Sequence, residues 1–201
     1  MRRQTSERVL DIAEALVQTR GFNAFSYADI ARAVGIRKAS LHHHFATKAD
    51  LGAALVARYR AAFLDALRSI EADTESAPER LERYTDLYGS VLRKGRMCMC
   101  GMLASDAATL PKPMRESIAG FFGENEAWLA RVLAEGKKRG QVEYEGTPSS
   151  LAAFFVSSLE GAMLVARAGG DPRPFDDVVH HLLGRVRAKK AAPRRRRQPQ
   201  R

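Results

Sequence analysis

The 201-residue sequence is poor in several things, and each shortage narrows what it encodes. Its two cysteines, Cys98 and Cys100, stand too close in sequence to build a disulfide framework, which fits a reducing compartment. With 15 Gly and 8 Pro it is neither collagen-like nor low-complexity, and 45% hydrophobic residues supply a globular core. Long apolar runs are missing. Residues 151–166 are broken by Ser157, Ser158 and Glu160 and fall short of the roughly 20 residues a membrane span needs. The first twenty residues hold Glu7, Asp11 and Glu14 where a signal peptide needs an unbroken apolar segment. The expectation is a cytoplasmic chain with no membrane partner. Enzyme hallmarks are also missing: neither cysteine has a neighbouring general base in sequence, and there is no Gly-rich phosphate loop or carboxylate pair. The chain reads as a non-enzyme with no cofactor. The run His42, His43, His44 offers only one ligand per helical face, because consecutive residues point about 100° apart, so no metal site is expected.

What is present is positive charge, and its position matters more than its total of +10. Residues 1–48 carry eight basic and four acidic side chains; residues 184–201 carry nine basic and no acidic ones; the stretch between is slightly acidic. A polyanion partner is implied at the ends. The last eleven residues, AAPRRRRQPQR, have no apolar period and read as a basic, disordered tail over 191–201, either a solubilising end or a nonspecific nucleic-acid arm.

Elsewhere the apolar period is helical throughout. Val9, Ile12, Ala13, Leu16 and Val17 mark a first helix closed by Gly21. Ser26 three residues before Asp29 caps a short second helix ending at Gly35, and Leu41 with Phe45 marks a third. Thr47 with Asp50 opens a long helix with the seam Leu51, Leu55, Tyr59, Phe63, Leu67 and Ile70. Further helices begin at Pro78, between Cys98 and Leu110, after Pro111 and Pro113, at Leu151, and at Asp176. The third of these is expected to stop over 136–140, and 141–147 is the one connector able to hold an extended turn. The fold class is therefore all-α: an N-terminal three-helix head joined by a long helix to a helical body.

Two short helices around a glycine turn outline a helix-turn-helix. Residues 21–51, GFNAFSYADIARAVGIRKASLHHHFATKADL, resemble the DNA-binding head of the TetR family of transcriptional regulators (TetR/AcrR type) through Gly21-Phe22, Asp29-Ile30-Ala31, Val34-Gly35-Ile36, Leu41, His44-Phe45, Lys48 and Leu51. The resemblance implies a helix-turn-helix domain over 1–50 and a ligand-binding and dimerisation domain over 51–190. It implies a recognition helix at about 37–43, with Lys38, Ser40 and His43 facing base edges or nearby phosphates. Ser26, Tyr27, His44 and Lys48 fall at the family's backbone-contacting positions. Arg37 replaces the usual small hydroxyl cap and adds a cation towards DNA, and His42 replaces the family's usual tyrosine and makes binding pH-sensitive. Arg2 and Arg3 read either as a minor-groove arm or as a frayed end.

For the body, the resemblance implies a homodimer with an effector cavity in each subunit. Residues 159–172 resemble the family's dimer-forming helix, with Gly161, Ala162 and Ala166 on it and Leu182, Leu183 and Val186 on the last helix as interface candidates. Tyr84, Tyr88, Cys98, Met102, Phe121, Phe122, Trp128 and Phe155 are candidates to line a cavity for an apolar, aromatic or electrophilic effector, or else they are core. A thiolate at a helix N-terminus has a lowered pKa, so Cys98 and Cys100 read either as an electrophile or redox sensor or as small buried hydrophobes. The expected function is a ligand-responsive repressor on a near-palindromic operator. The alternatives are a cysteine-based sensing regulator and a nonspecific nucleic-acid binder driven by the tail.

Overall fold

A computed structural model describes residues 2–188, with side chains from 4 to 186. The basic tail at 191–201 and the side chains of Arg2 and Arg3 lie outside the described residues. Nine α-helices account for most of what is described: α1 (Arg2–Arg20), α2 (Tyr27–Val34), α3 (Lys38–His44), α4 (Lys48–Asp73), α5 (Ala77–Leu92), α6 (Met99–Ser105), α7 (Lys112–Lys138), α8 (Pro148–Gly169) and α9 (Arg173–Arg185).

Local chemistry sets the boundaries in the head. Ser26 and Thr47 each form a complete capping box, with Asp29 and Asp50 respectively, so the start of α2 and the start of α4 are both fixed. Gly21 (φ 89) and Gly35 (φ 78) end α1 and α2 in a backbone region that only glycine enters without strain. Arg37 stands at the start of α3 without a side-chain cap, as its long cationic side chain dictates.

α4 runs unbroken for 26 residues through position 50, so the head and the body share one helix. Arg58 on α4 holds α1 alongside it, donating to Asp11 at 2.6 Å and Glu14 at 2.7 Å. Below the head, α7 packs against α4, α5 and α8, and α8 against α9. A single hydrophobic core runs from Val9 to Val186.

One detail differs from the sequence expectation, and two refine it. α7 ends within the expected 136–140 stretch, passing through a buried Gly136 to Lys138 before the chain turns at Gly140 (φ 67). Gly136 is inside because α7 passes close to α5 and the following strand there; a Cβ would run into Ala77 and Val142. Val142–Glu143 does extend, pairing antiparallel with Arg187–Ala188, a two-residue ladder too short for any period to reveal. At 22 residues, α8 is long enough and apolar enough to cross a membrane, contrary to the shorter stretch expected, yet much of it is buried inside this molecule.

Candidate DNA interface and effector core

α3 is short and exposed, and Leu41 is its single buried side chain. That one anchor, fully enclosed, seats the helix on the head's core and leaves the rest of its surface outward. Arg37, Lys38, Ser40 and His43 are exposed, and their side chains make no hydrogen bond or ion pair with the described residues. Four donors held on a fixed helix without internal partners suit phosphates and base edges.

The structure uses the remaining head candidates differently. Tyr27 is a correction: its ring is buried and its hydroxyl lies 3.0 Å from the Phe45 carbonyl and 2.5 Å from that of Thr47, so it fastens the α3–α4 turn rather than facing DNA. Burial pushes its hydroxyl up to about 12, with the nearby Asp50 adding to the effect, so it stays a neutral donor. Lys48 is also turned inward. Its ammonium donates to the Phe25 carbonyl at 2.6 Å and sits over the rings of Phe22 and Phe25, at 4.8 and 4.5 Å from their centres. Desolvation there lowers its pKa below the ordinary lysine value. His42 stands 4.7 Å from the Tyr27 ring, and its Nδ1 is 3.0 Å from the Ala46 carbonyl, so it braces the same turn. The Ser26 hydroxyl is spent on its own capping box. His44 is half-buried beside His43, their ring centres 6.3 Å apart.

In the body, four of the eight pocket candidates converge. Tyr84 stacks on Trp128 at 5.6 Å and lies 5.5 Å from Tyr88, and Phe63 at the centre makes edge contacts with Tyr84, Tyr88 and Phe121. Cys98 joins through Tyr59, whose hydroxyl is 3.8 Å from its sulfur and whose ring is 5.6 Å from Phe121. Phe155 is buried in the same core but makes no close ring contact. Phe122 sits at the edge, 5.3 Å from Phe121 and only partly covered. Met102 is a correction, because it faces the head: its sulfur is 3.7 Å from Arg167 and its methyl lies beside Gly21.

Four residues of this cluster escaped the sequence reading as site residues. Tyr59 and Phe63 were assigned to the apolar seam of α4. Asn125 is a buried amide that accepts from Tyr84 at 3.1 Å and donates to the Phe121 carbonyl at 2.7 Å. Glu160 interrupts the apolar sequence of α8, which was its one sequence signal. Its carboxyl meets the Cys98 thiol, and burial raises it to about 7. The thiols are not activated. Cys98 does begin α6, but desolvation and the nearby Glu160 push it well above the ordinary thiol value, and burial raises Cys100 likewise. Both are enclosed neutral thiols, which corrects the expectation of a lowered pKa.

The interface candidates divide as well. Ala162, Ala166, Leu182 and Val186 are already buried within this chain, so they are corrected to core or groove floor. Gly161 is exposed and Leu183 partly so. The large apolar side chains that α8 leaves in the open are Phe154, Leu164 and Val165, at 44%, 55% and 60% exposure. Phe154, Gly161 and Val165 line a groove of about 390 Å³ that α9 closes with Val178, His181 and Leu182.

Two family descriptions match the chain: "Bacterial regulatory proteins, tetR family" over residues 9–55, and "Tetracyclin repressor-like, C-terminal domain" over residues 77–182. Among solved structures, a TetR-family transcriptional regulator from Agrobacterium tumefaciens superposes with a TM-score of 0.90 at 33% identity, covering 94% of this chain and 100% of that one. The transcriptional regulator AcuR of Cereibacter sphaeroides is 29% identical over 78% of this chain and 73% of its own. The transcriptional repressor DhaR of Mycobacterium sp. (strain GP1) is 24% identical over 80% and 81%.

Proposed function

The chain belongs to the TetR family of bacterial transcription regulators, and from that premise we propose that it is a dimeric repressor that reads a near-palindromic operator with α3 and is released by a small effector bound in the body. The observation that carries this is α3 itself, whose Arg37, Lys38, Ser40 and His43 project without internal partners from a scaffold pinned by two capping boxes. A second copy is the natural cover for Phe154, Leu164 and Val165, since isolated chains seldom leave a contiguous apolar face open. Such a dimer presents two copies of α3 to two half-sites. DNA recognition belongs to the head, about residues 1–50, and effector binding and dimerisation to the body, about 51–190, with α4 common to both. The protein works in the cytoplasm, where its DNA is.

The aromatic cluster around Phe63 is the effector site in this reading, and the effector acts by shifting a population. A ligand that favours a wider spacing of the two heads weakens operator binding by the ratio of its affinities for the two states. Replacing Lys38 and His43 with Ala is the test: operator preference disappears while dimer and melting behaviour persist, and unchanged specificity refutes the assignment of α3. Salt titrations on the full chain and on a truncation after Ala192 separate this reading from tail-driven binding, because preference that vanishes with the tail refutes the repressor.

A further inference from the structure

We propose that the effector of this body is an organic cation with an N–H donor, held by the Glu160 carboxylate at the edge of the aromatic cluster; the inference rests on the effector reading above and gives it a chemical class. Glu160 retains some exposure as a residue, but its Oε1 has none and has no hydrogen-bond partner. Oε2 occupies the space a Cβ at position 101 would take, so Gly101 is what lets the carboxyl lie against α6.

The groups that face the carboxyl are the thiols of Cys98 and Cys100 and, through space, the hydroxyls of Tyr84 and Tyr88. All are neutral. Arg60 is the cation whose charge reaches Cys100, but it is tied to Glu124 by two hydrogen bonds. A buried carboxylate without a positive partner is costly, and a ligand ammonium supplies that partner. The rings of Tyr84, Tyr88, Phe63 and Tyr59 offer faces that attract the same charge.

The route assigned to the ligand passes Tyr59. A groove of about 560 Å³ between α1, α4 and α5 is bordered by Tyr59 and Phe63, by Asp11 and Glu14, which are paired to Arg58, and by Arg96. The Tyr59 ring borders this groove while its hydroxyl touches Cys98, which in turn touches Glu160. In this proposal the ligand displaces that ring to reach the carboxyl. A neutral alcohol of equal size entering this way can donate a hydrogen bond to Oε1 but brings no positive charge, and an anion is repelled.

Trp128 is the chain's single tryptophan and stacks on Tyr84, so its fluorescence reports on the cluster. The full-length protein is titrated with benzylammonium, benzyl alcohol and benzoate, and the same ligands are added to its complex with an operator fragment selected by the protein. Benzylammonium is expected to bind at least tenfold more tightly than the other two, and Glu160→Gln to bring it to parity with benzyl alcohol. Equal or tighter binding of benzyl alcohol or benzoate overturns the proposal, as does a silent Trp128 with all three at millimolar concentration. The ligand comparison needs only the wild-type protein, so it decides the matter even where the variant does not fold. DNA release by neutral aromatics with no preference for the cation leaves the repressor reading standing and removes the cation; cation binding without DNA release does the reverse.

Discussion

Arg167 on α8 donates to the Gln18 carbonyl at 3.0 Å and also to that of Thr19, so one guanidinium joins the body to the last turn of the head's first helix. The carbonyls at a helix C-terminus lack intrahelical partners and carry partial negative charge, which makes a cation there doubly favourable. Two further bonds cross nearby: Met97 N–H also donates to Gln18 at 3.1 Å, and Phe22 N–H donates to the Asp106 carboxylate at 2.9 Å. Head and body are therefore coupled through polar contacts beside the same helix that exposes Phe154, Leu164 and Val165.

Arg167→Ala removes two of those contacts and leaves the aromatic cluster alone. The expected loss is about 1 kcal/mol of stability, as for an ordinary hydrogen bond at a half-exposed site. Effector binding followed by Trp128 fluorescence stays unchanged, while effector-induced release of DNA weakens. Undiminished release in the variant would show that Arg167 transmits nothing.

Lys48→Met keeps the aliphatic stem and removes the charge from over Phe22 and Phe25. The cost is about 1–2 kcal/mol from the lost cation–π contact and the hydrogen bond to Phe25. A phosphate-contacting lysine lowers the slope of log affinity against log salt by about one when removed. Because this ammonium faces inward, the slope for Lys48→Met is expected to match that of the wild type, and a fall of one unit falsifies the inward assignment.

Tyr27→Phe leaves the buried ring in place and removes the hydroxyl from the Phe45 and Thr47 carbonyls, of which Thr47 keeps the Leu51 N–H as a donor. A head destabilised by about 1–3 kcal/mol is expected, the cost of leaving the Phe45 carbonyl without the Tyr27 donor. Chemical melting monitored by circular dichroism measures it, and a variant as stable as the wild type contradicts the clasp described for the α3–α4 turn.

The caps and glycine stops were legible in the sequence because they act within four residues: Ser26 with Asp29, Thr47 with Asp50, Gly21 and Gly35. Which way a side chain turns was not, because it depends on what packs opposite. Tyr27 and Lys48 occupy positions compatible with a DNA-facing role, and only the arrival of Phe45 and Phe25 from elsewhere in the head draws them inward. The interface suffered for a related reason. α8 is apolar nearly all round, so no periodicity separates Ala162 and Ala166, which face the core, from Leu164 and Val165, which do not. Glu160 was visible as an acid in an apolar sequence, but the significance of that acid appears only when Gly101 and Cys98 are seen against it.

Glu160 also makes a thermodynamic prediction. Its folded-state value of about 7 lies above the ordinary 4.5, so the fold favours the neutral acid. The stability this lends is fully present below pH 4.5 and disappears as pH rises through about 7, because the unfolded chain then ionises the group freely while the folded chain resists. Converted at about 1.4 kcal/mol per unit, the change across that window is on the order of 3–4 kcal/mol. Glu160→Gln cannot ionise, so the wild-type minus variant stability from urea melts should fall between pH 4.5 and 7 and be flat above it. A difference independent of pH would mean that the carboxyl is solvated.

Gly101→Ala probes the same contact from the other side. The added methyl meets Glu160 Oε2, and α6 has no room to retreat because Met99, Cys100 and Leu103 are fully enclosed. Either the carboxyl leaves its place or α6 shifts, and overpacking of this kind costs about 1–3 kcal/mol. The two responses are distinguishable. A carboxyl pushed into solvent regains an ordinary pKa, so the variant is expected to lose the pH dependence assigned to Glu160 as well as stability. The double variant Gly101→Ala/Glu160→Gln should be destabilised by less than the sum of the single changes, since their effects meet at one contact. Strict additivity would place Glu160 away from Gly101 and refute the geometry on which the cation site depends.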